Sequence, residues 1–92
     1  MSQQWKMYVV ECADDTLYTG ITTDVERRIR EHNDSPKGAR YTRSRRPVTL
    51  VASWELGSQS RAARAEYAFK ALDRTSKLQH LDTDDIFALV ES

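Results

Sequence analysis

Five residues stand out for the chemistry their types permit and for where they fall: Tyr8, Tyr18, Arg28, His32 and Glu66. The two tyrosines are ten residues apart, and Arg28 precedes His32 by four. Phenol and imidazole groups can accept and pass protons. A planar guanidinium suits bidentate contact with phosphate. A carboxylate can hold a hard cation that keeps most of its waters. Together these supply the roles that phosphodiester hydrolysis requires: activation of water, charge to steady a pentacovalent phosphorane, and help for the leaving oxygen. Taken singly, each residue has a plainer explanation. Strand tyrosines usually pack half-buried, Arg28 could be a solvated cation, His32 a packed or capping histidine, and Glu66 the i,i+4 partner of Lys70. Composition does not select the set; its arrangement along the chain does.

The elements that must position these residues are legible. Trp5 to Cys12 is rich in β-formers, as is Leu17 to Thr22, and Ala13-Asp14-Asp15-Thr16 between them is a turn signal. If Ala13-Asp14-Asp15 is the loop, Cys12 pairs with Thr16 and Tyr8 lies opposite Gly20. Tyr8 and Tyr18 then project from one face as diagonal neighbours. Gly20 leaves space there for a ligand or chain segment to approach. Asp24 caps a helix predicted to about Asn33, with Val25, Ile29 and His32 on its buried stripe. Arg28 and His32 are neighbours one turn apart at the border of that stripe. Pro36 and Gly38 break the stretch from Asn33 to Pro47, where Ala39–Thr42 forms at most a helical turn. In the third strand, Val48 to Leu56, the alternation predicts Val48, Leu50, Ala52, Trp54 and Leu56 on the core face. Ser60 is the predicted cap of a helix to about Asp73, with Ala62, Ala65, Phe69 and Leu72 as its apolar stripe and Glu66 at the border. A short helix from Thr75 to about Leu81 follows, and a last turn around Ile86, Phe87 and Leu89 is possible. The order is β-β-α-β-α-α, an α+β fold with a three-stranded antiparallel sheet flanked by helices.

The chain has 92 residues, enough for one domain, with a core over about 5–81 and an acidic tail over 82–92. Net charge is zero, from 14 basic and 14 acidic residues, so total charge says nothing about a polyanion. Its distribution does. Arg27, Arg28, Arg30, Lys37, Arg40, Arg43, Arg45 and Arg46 are opposed in their stretch only by Glu31 and Asp34, whereas Asp82, Asp84, Asp85 and Glu91 mark the other end. Such a field orients nucleic acid onto one face. The Arg-Tyr-Thr-Arg-Ser-Arg-Arg run suits phosphate and base contact. Cys12 is the one cysteine, which excludes an internal disulfide and a cysteine-based zinc site. The polar start and the lack of a long apolar run lead to the expectation of a cytoplasmic protein without a membrane partner.

On these residues the chain resembles the GIY-YIG nuclease superfamily. The first signature corresponds to Lys6-Met7-Tyr8, with lysine where the family has glycine, and the second to Tyr18-Thr19-Gly20. The helix arginine and the histidine one turn later fall on Arg28 and His32, and the metal-binding glutamate on Glu66. Leu17–Arg28 is the most specific stretch, Gly38–Thr42 and Arg64–Lys77 also fit, and the likeness runs from about Trp5 to Leu81. The chain is more closely similar to the small stand-alone bacterial branch, near the nuclease domain of Slx-type enzymes. It has Ser76-Lys77-Leu78 where many relatives have an asparagine.

The resemblance implies a DNA endonuclease, in repair or recombination, using one Mg²⁺ or Mn²⁺ ion held by Glu66. Tyr8, alone or with His32, would serve as the general base. Arg28 would bind the scissile phosphate, Tyr18 would orient water or phosphate, and Gly20 would meet a backbone requirement. Arg27, Lys37, Arg40, Arg43, Arg45, Arg46 and Lys70 are the expected DNA contacts, with a protein partner supplying further DNA binding. Two other classes fit the sequence. One is a non-catalytic nucleic-acid-binding module of the same fold. The other is an interaction protein using Trp5, Trp54 and the Ile86-Phe87 tail.

Overall fold

The computed structural model describes residues 4–81. Strands β1 (Trp5–Glu11) and β2 (Leu17–Thr22) form the expected hairpin, closed by a hydrogen bond from Cys12 N to Thr16 O at 2.8 Å. Asp15 takes the left-handed conformation that ends the turn, at φ 67°, where a short polar side chain is tolerated. Helix α1 (Val25–Asp34) starts at Asp24, whose carboxylate accepts from Arg27 N at 3.1 Å. Next comes the one-turn helix α2 (Arg40–Arg43), then strand β3 (Thr49–Gly57) and helices α3 (Gln59–Lys70) and α4 (Arg74–Leu81). The sheet is antiparallel in the order β2-β1-β3. β1 is therefore the central strand, and Met7, Tyr8, Val9 and Val10 are all buried because both sheet faces are covered around it.

Alternation along β1 feeds two separate clusters. Met7 and Val9 join Trp54, Leu56 and the α3 residues Ala62, Ala65 and Phe69. The alanines bring α3 close to the sheet, and Phe69 tilts against Trp54 with ring centroids 6.4 Å apart. Tyr8, Val10 and Cys12 face the other way, with Val48 and the partly buried Tyr18, Val25 and Ile29.

Three sequence expectations need correction. The unbroken alternation of Val48, Leu50, Ala52, Trp54 and Leu56 does not hold. Ala52, Trp54 and Leu56 pack toward α3. The register then shifts: Val9 pairs with Ala52 but Val10 with Leu50, leaving Val51 as an extra residue. An inserted residue reverses the faces beyond it. Leu50 and Val51 are accordingly exposed, and Val48 is buried on the opposite side. In α3 the cap is Ser58, whose hydroxyl accepts from Arg61 N at 3.1 Å, rather than Ser60, which lies in the first turn. The helix ends at Lys70 instead of about Asp73, because Asp73 accepts from Ser76 N at 2.8 Å and so starts α4. No helix among the described residues is long and apolar enough to cross a membrane. The acidic tail and the turn anticipated around Ile86 lie outside the described residues.

Candidate active site

The hairpin register sets the first two side chains. Tyr8 pairs with Gly20 and Val10 with Tyr18, as the short loop requires, so both tyrosines point to the face away from Phe69. The space left by Gly20 is filled by the Tyr8 phenol itself. A Cβ at position 20 would lie 2.5 Å from Tyr8 Oη. Glycine is thus needed for the phenol to lie across β2, where it is almost wholly buried.

Helix α1 supplies the next pair. His32 is fully buried, and its Nε2 lies 2.6 Å from Tyr8 Oη. Its Nδ1 lies 2.9 Å from the Thr42 hydroxyl, which donates to Ala39 O at 2.9 Å. The chain after α1 turns back closely enough to bring Thr42 here because Gly38 rests on the helix end. A Cβ there would meet Glu31 O at 2.7 Å. The Tyr18 ring stands edge-on to His32, with centroids 5.3 Å apart. Arg28 donates to Glu31 Oε1 at 3.1 Å and to Lys37 O at 2.9 Å, which pins its guanidinium beside the cluster.

Burial dominates the electrostatics. It pushes the Tyr8 phenol up to about 12, a rise that Arg28 opposes and the charges of Tyr18 and Glu66 reinforce. Burial, followed by the Arg28 charge, pushes His32 down to about 4. The pair therefore rests as neutral phenol and neutral imidazole at neutral pH. Burial also works against the charge on Arg28, but hydrogen bonds to Glu31 and Tyr8 outweigh it and keep the guanidinium protonated.

Glu66 comes from the flank of α3. It is ion-paired with Lys70 at 3.5 Å, and the Lys70 ammonium lies 5.9 Å from the centre of the Tyr18 ring. No group of three or more histidine, cysteine, aspartate or glutamate side chains gathers among the described residues. A cage made wholly of protein ligands does not fit that donor set. A single partly exposed carboxylate does fit a largely hydrated divalent ion that also contacts substrate phosphate. Lys70, paired with Glu66 Oε2, competes with such an ion for the carboxylate.

Residues 4–79 match the family profile described as the GIY-YIG catalytic domain. The chain belongs to the GIY-YIG family. A UPF0213 protein of Desulfotalea psychrophila is 60% identical over 73 residues, a match covering 79% of this chain and 66% of that one. A UPF0213 protein of Streptococcus agalactiae is 53% identical, covering 82% of this chain and 84% of its own. The solution NMR structure of a UPF0213 protein from Bacillus halodurans superposes with a TM-score of 0.58 at 43% identity, over 97% of this chain and 94% of that one. That of an E. faecalis protein gives 0.61 at 43% identity, over 87% and 84%. The GIY-YIG family is a nuclease family.

In this GIY-YIG domain the side chains Tyr8, Tyr18, Arg28 and His32 form one cluster, and Glu66 reaches its electrostatic field. The expected DNA contacts divide. Arg27, Lys37, Arg40 and Lys70 are exposed. Arg43 is exposed too, with its guanidinium on Pro36 O at 2.7 Å. Arg46 turns onto the C-terminal carbonyls of α1, donating to His32 O and, at 2.6 Å, to Ser35 O, where a cation offsets the helix dipole. Arg45 lies 3.9 Å over the Tyr41 ring and pairs with Asp14 at 3.0 Å. Tyr41 also stacks on Tyr18, with centroids 5.7 Å apart. Sequence patterning puts Tyr41 in a run suited to base contact and Asp14 in the hairpin turn, and assigns Thr42 no role at the site. Thr42 stood in the family-like stretch Gly38–Thr42, but no local pattern reveals a hydroxyl meeting a histidine ten residues upstream.

Proposed function

We propose that this GIY-YIG domain is a metal-dependent endonuclease hydrolysing phosphodiester bonds in DNA, in a cytoplasmic repair or recombination setting. The supporting observation is the buried 2.6 Å hydrogen bond between Tyr8 Oη and His32 Nε2 beside Arg28, with the Glu66 carboxylate acting on the same phenol. A module that only held DNA would not need the full set of Tyr8, Tyr18, Arg28 and Glu66.

Tyr8 takes a proton from water as its own proton passes to His32 Nε2. The water oxygen bonds to phosphorus, the ester P–O bond breaks, and the departing oxygen takes a proton from solvent. Arg28 holds the phosphate and balances its growing charge. Without substrate the transfer is uphill, because phenol near 12 gives up its proton reluctantly to imidazole near 4. A bound phosphate anion offsets the Arg28 charge that helps hold His32 down, so substrate itself improves the acceptor. Tyr18, supported by Tyr41, orients water or phosphate. Mg²⁺ or Mn²⁺ held by Glu66 would supply further positive charge at the scissile phosphate. Lys70 releases Glu66 and turns to a phosphate. Arg27, Lys37, Arg40 and Arg43 extend contact along the strand, Arg45 and Arg46 act mainly by holding the site's loop, and a protein partner adds further DNA binding.

The second reading is a DNA-binding module without cleavage, favoured by the ion pair that engages Glu66. The test is cleavage of labelled duplex, single strand, flap and branched junction with Mg²⁺, comparing the unaltered protein with folded Arg28→Ala and Glu66→Ala. Cutting lost in both variants supports the nuclease and its site. Cutting that survives both overturns the residue assignment. Binding without cutting, weakening as salt rises, transfers the case to the second reading.

A further inference from the structure

We infer that Thr42 is a positioning residue that fixes the tautomer of His32 and so decides which way the Tyr8 proton can move. The inference rests on the proposed nuclease reading for its purpose, but its geometry stands apart from any cleavage.

The shorter contacts of the His32 ring, with the Thr42 hydroxyl committed to Ala39 O, favour one direction. The Tyr8 phenol is neutral and buried, and its proton needs an acceptor. Arg28, its charged neighbour, carries donors only. His32 Nε2, at 2.6 Å, is the acceptor among the described residues, so Nε2 must present its lone pair. A neutral imidazole then carries its proton on Nδ1. Nδ1–H meets the Thr42 hydroxyl oxygen at 2.9 Å, and that hydroxyl spends its own proton on Ala39 O at 2.9 Å. The chain runs Tyr8 Oη–H to Nε2, Nδ1–H to Thr42 Oγ1, and Thr42 O–H to Ala39 O. Ala39 N–H also points at Nδ1, but from 3.4 Å. Thr42 is fully buried, so water does not replace its hydroxyl.

Without the hydroxyl, the Nδ1 proton loses its acceptor. Ala39 N–H becomes the one remaining partner of Nδ1 and demands a lone pair there. The imidazole proton moves to Nε2, which then donates to the phenol oxygen instead of accepting from it. The relay is reversed with every catalytic side chain in place.

The experiment reads the tautomer directly, by ¹⁵N NMR of the histidine ring nitrogens at pH 7. His80→Gln assigns the signals, since the chain has two histidines. The unaltered protein is expected to show Nδ1–H at His32, Thr42→Val to shift to Nε2–H, and Thr42→Ser to restore Nδ1–H. On a cleaved substrate, kcat should fall at least about 100-fold in Thr42→Val with KM little changed, and recover in Thr42→Ser. An Nε2–H tautomer in the unaltered protein overturns the inference. So does Nδ1–H persisting in folded Thr42→Val. If Thr42→Val fails to fold, Thr42→Ala and Thr42→Ser are compared by the same spectra, and the same tautomer in both overturns it. If the tautomers behave as stated but no nucleic acid is cut, the inferred role of Thr42 in the hydrogen-bond chain stands and the nuclease reading falls.

Discussion

The two faces of the sheet are built by alternate residues of the same strand and obey different rules. Met7 and Val9 point into an apolar layer closed by Trp54, Leu56, Ala62, Ala65 and Phe69. Tyr8 and Val10 point into a layer that also buries His32 and Thr42. The first face gains by removing hydrocarbon from water and makes no demand on direction. The second buries polar groups, and each must find a partner in a fixed orientation or cost stability. The consequence is a division of labour at single-residue resolution. One face is tolerant in chemistry and strict in volume; the other is strict in chemistry, because each of its buried polar groups needs a partner in a fixed orientation.

The largest expected effect comes from crossing the two faces. Phe69→Ala should lower unfolding free energy by about 3–5 kcal/mol, read from denaturant midpoints. Tyr8→Phe keeps the volume, should cost about 1–3 kcal/mol through the orphaned imidazole nitrogen, and should reduce cleavage roughly 10²- to 10⁴-fold. Equal stability losses from the two would erase the distinction between the faces.

Acid should act through the polar face next. Burial and then the Arg28 charge hold His32 near 4, with Arg46 adding to the effect and Glu31 opposing it. An unfolded histidine takes up its proton near pH 6.5. The folded value is depressed, so the stabilisation is complete above about pH 6.5 and is lost as pH falls through about 4. Between pH 7 and 4.5 this amounts to roughly 2 kcal/mol. Denaturant midpoints should slope over that window in the unaltered protein and flatten in His32→Gln. An unchanged slope would assign acid sensitivity elsewhere.

A smaller effect tests the contact that joins β2 to the phenol. Gly20→Ala forces Tyr8 Oη and Cζ aside, from 2.5 and 2.7 Å, and should cost about 1–3 kcal/mol. Adding Tyr8→Phe should recover part of that loss in thermal melts, because it removes the nearer atom. Smallest of all, Asp24→Ala removes the cap of α1 at a cost of about 1 kcal/mol, which circular dichroism melts would register. A much larger loss would mean that the cap, and not the buried chain, holds α1 in place.

Where the signal was local, the sequence was sufficient. The Ala13–Asp15 loop set the hairpin register and hence the pairing of Tyr8 with Gly20. Asp24 and the Val25–Ile29–His32 spacing set α1 and its buried side. The resemblance supplied Glu66, which no short-range pattern joins to the tyrosines. What failed was information that is not periodic. A one-residue bulge at Val51 leaves composition unchanged yet exchanges the faces of Leu50 and Val48. The basic stretch read as uniform charge, but tertiary packing set Arg46 against the end of α1 and Arg45 against Tyr41. Thr42 acquires its meaning only from the return of the chain over Gly38. The sequence by itself therefore determined the elements, their order and the types of groups available, because turns, caps and alternation act within a few residues. Only the tertiary structure decided which groups are buried together and which way their protons point, because those depend on close approach between segments far apart in the chain.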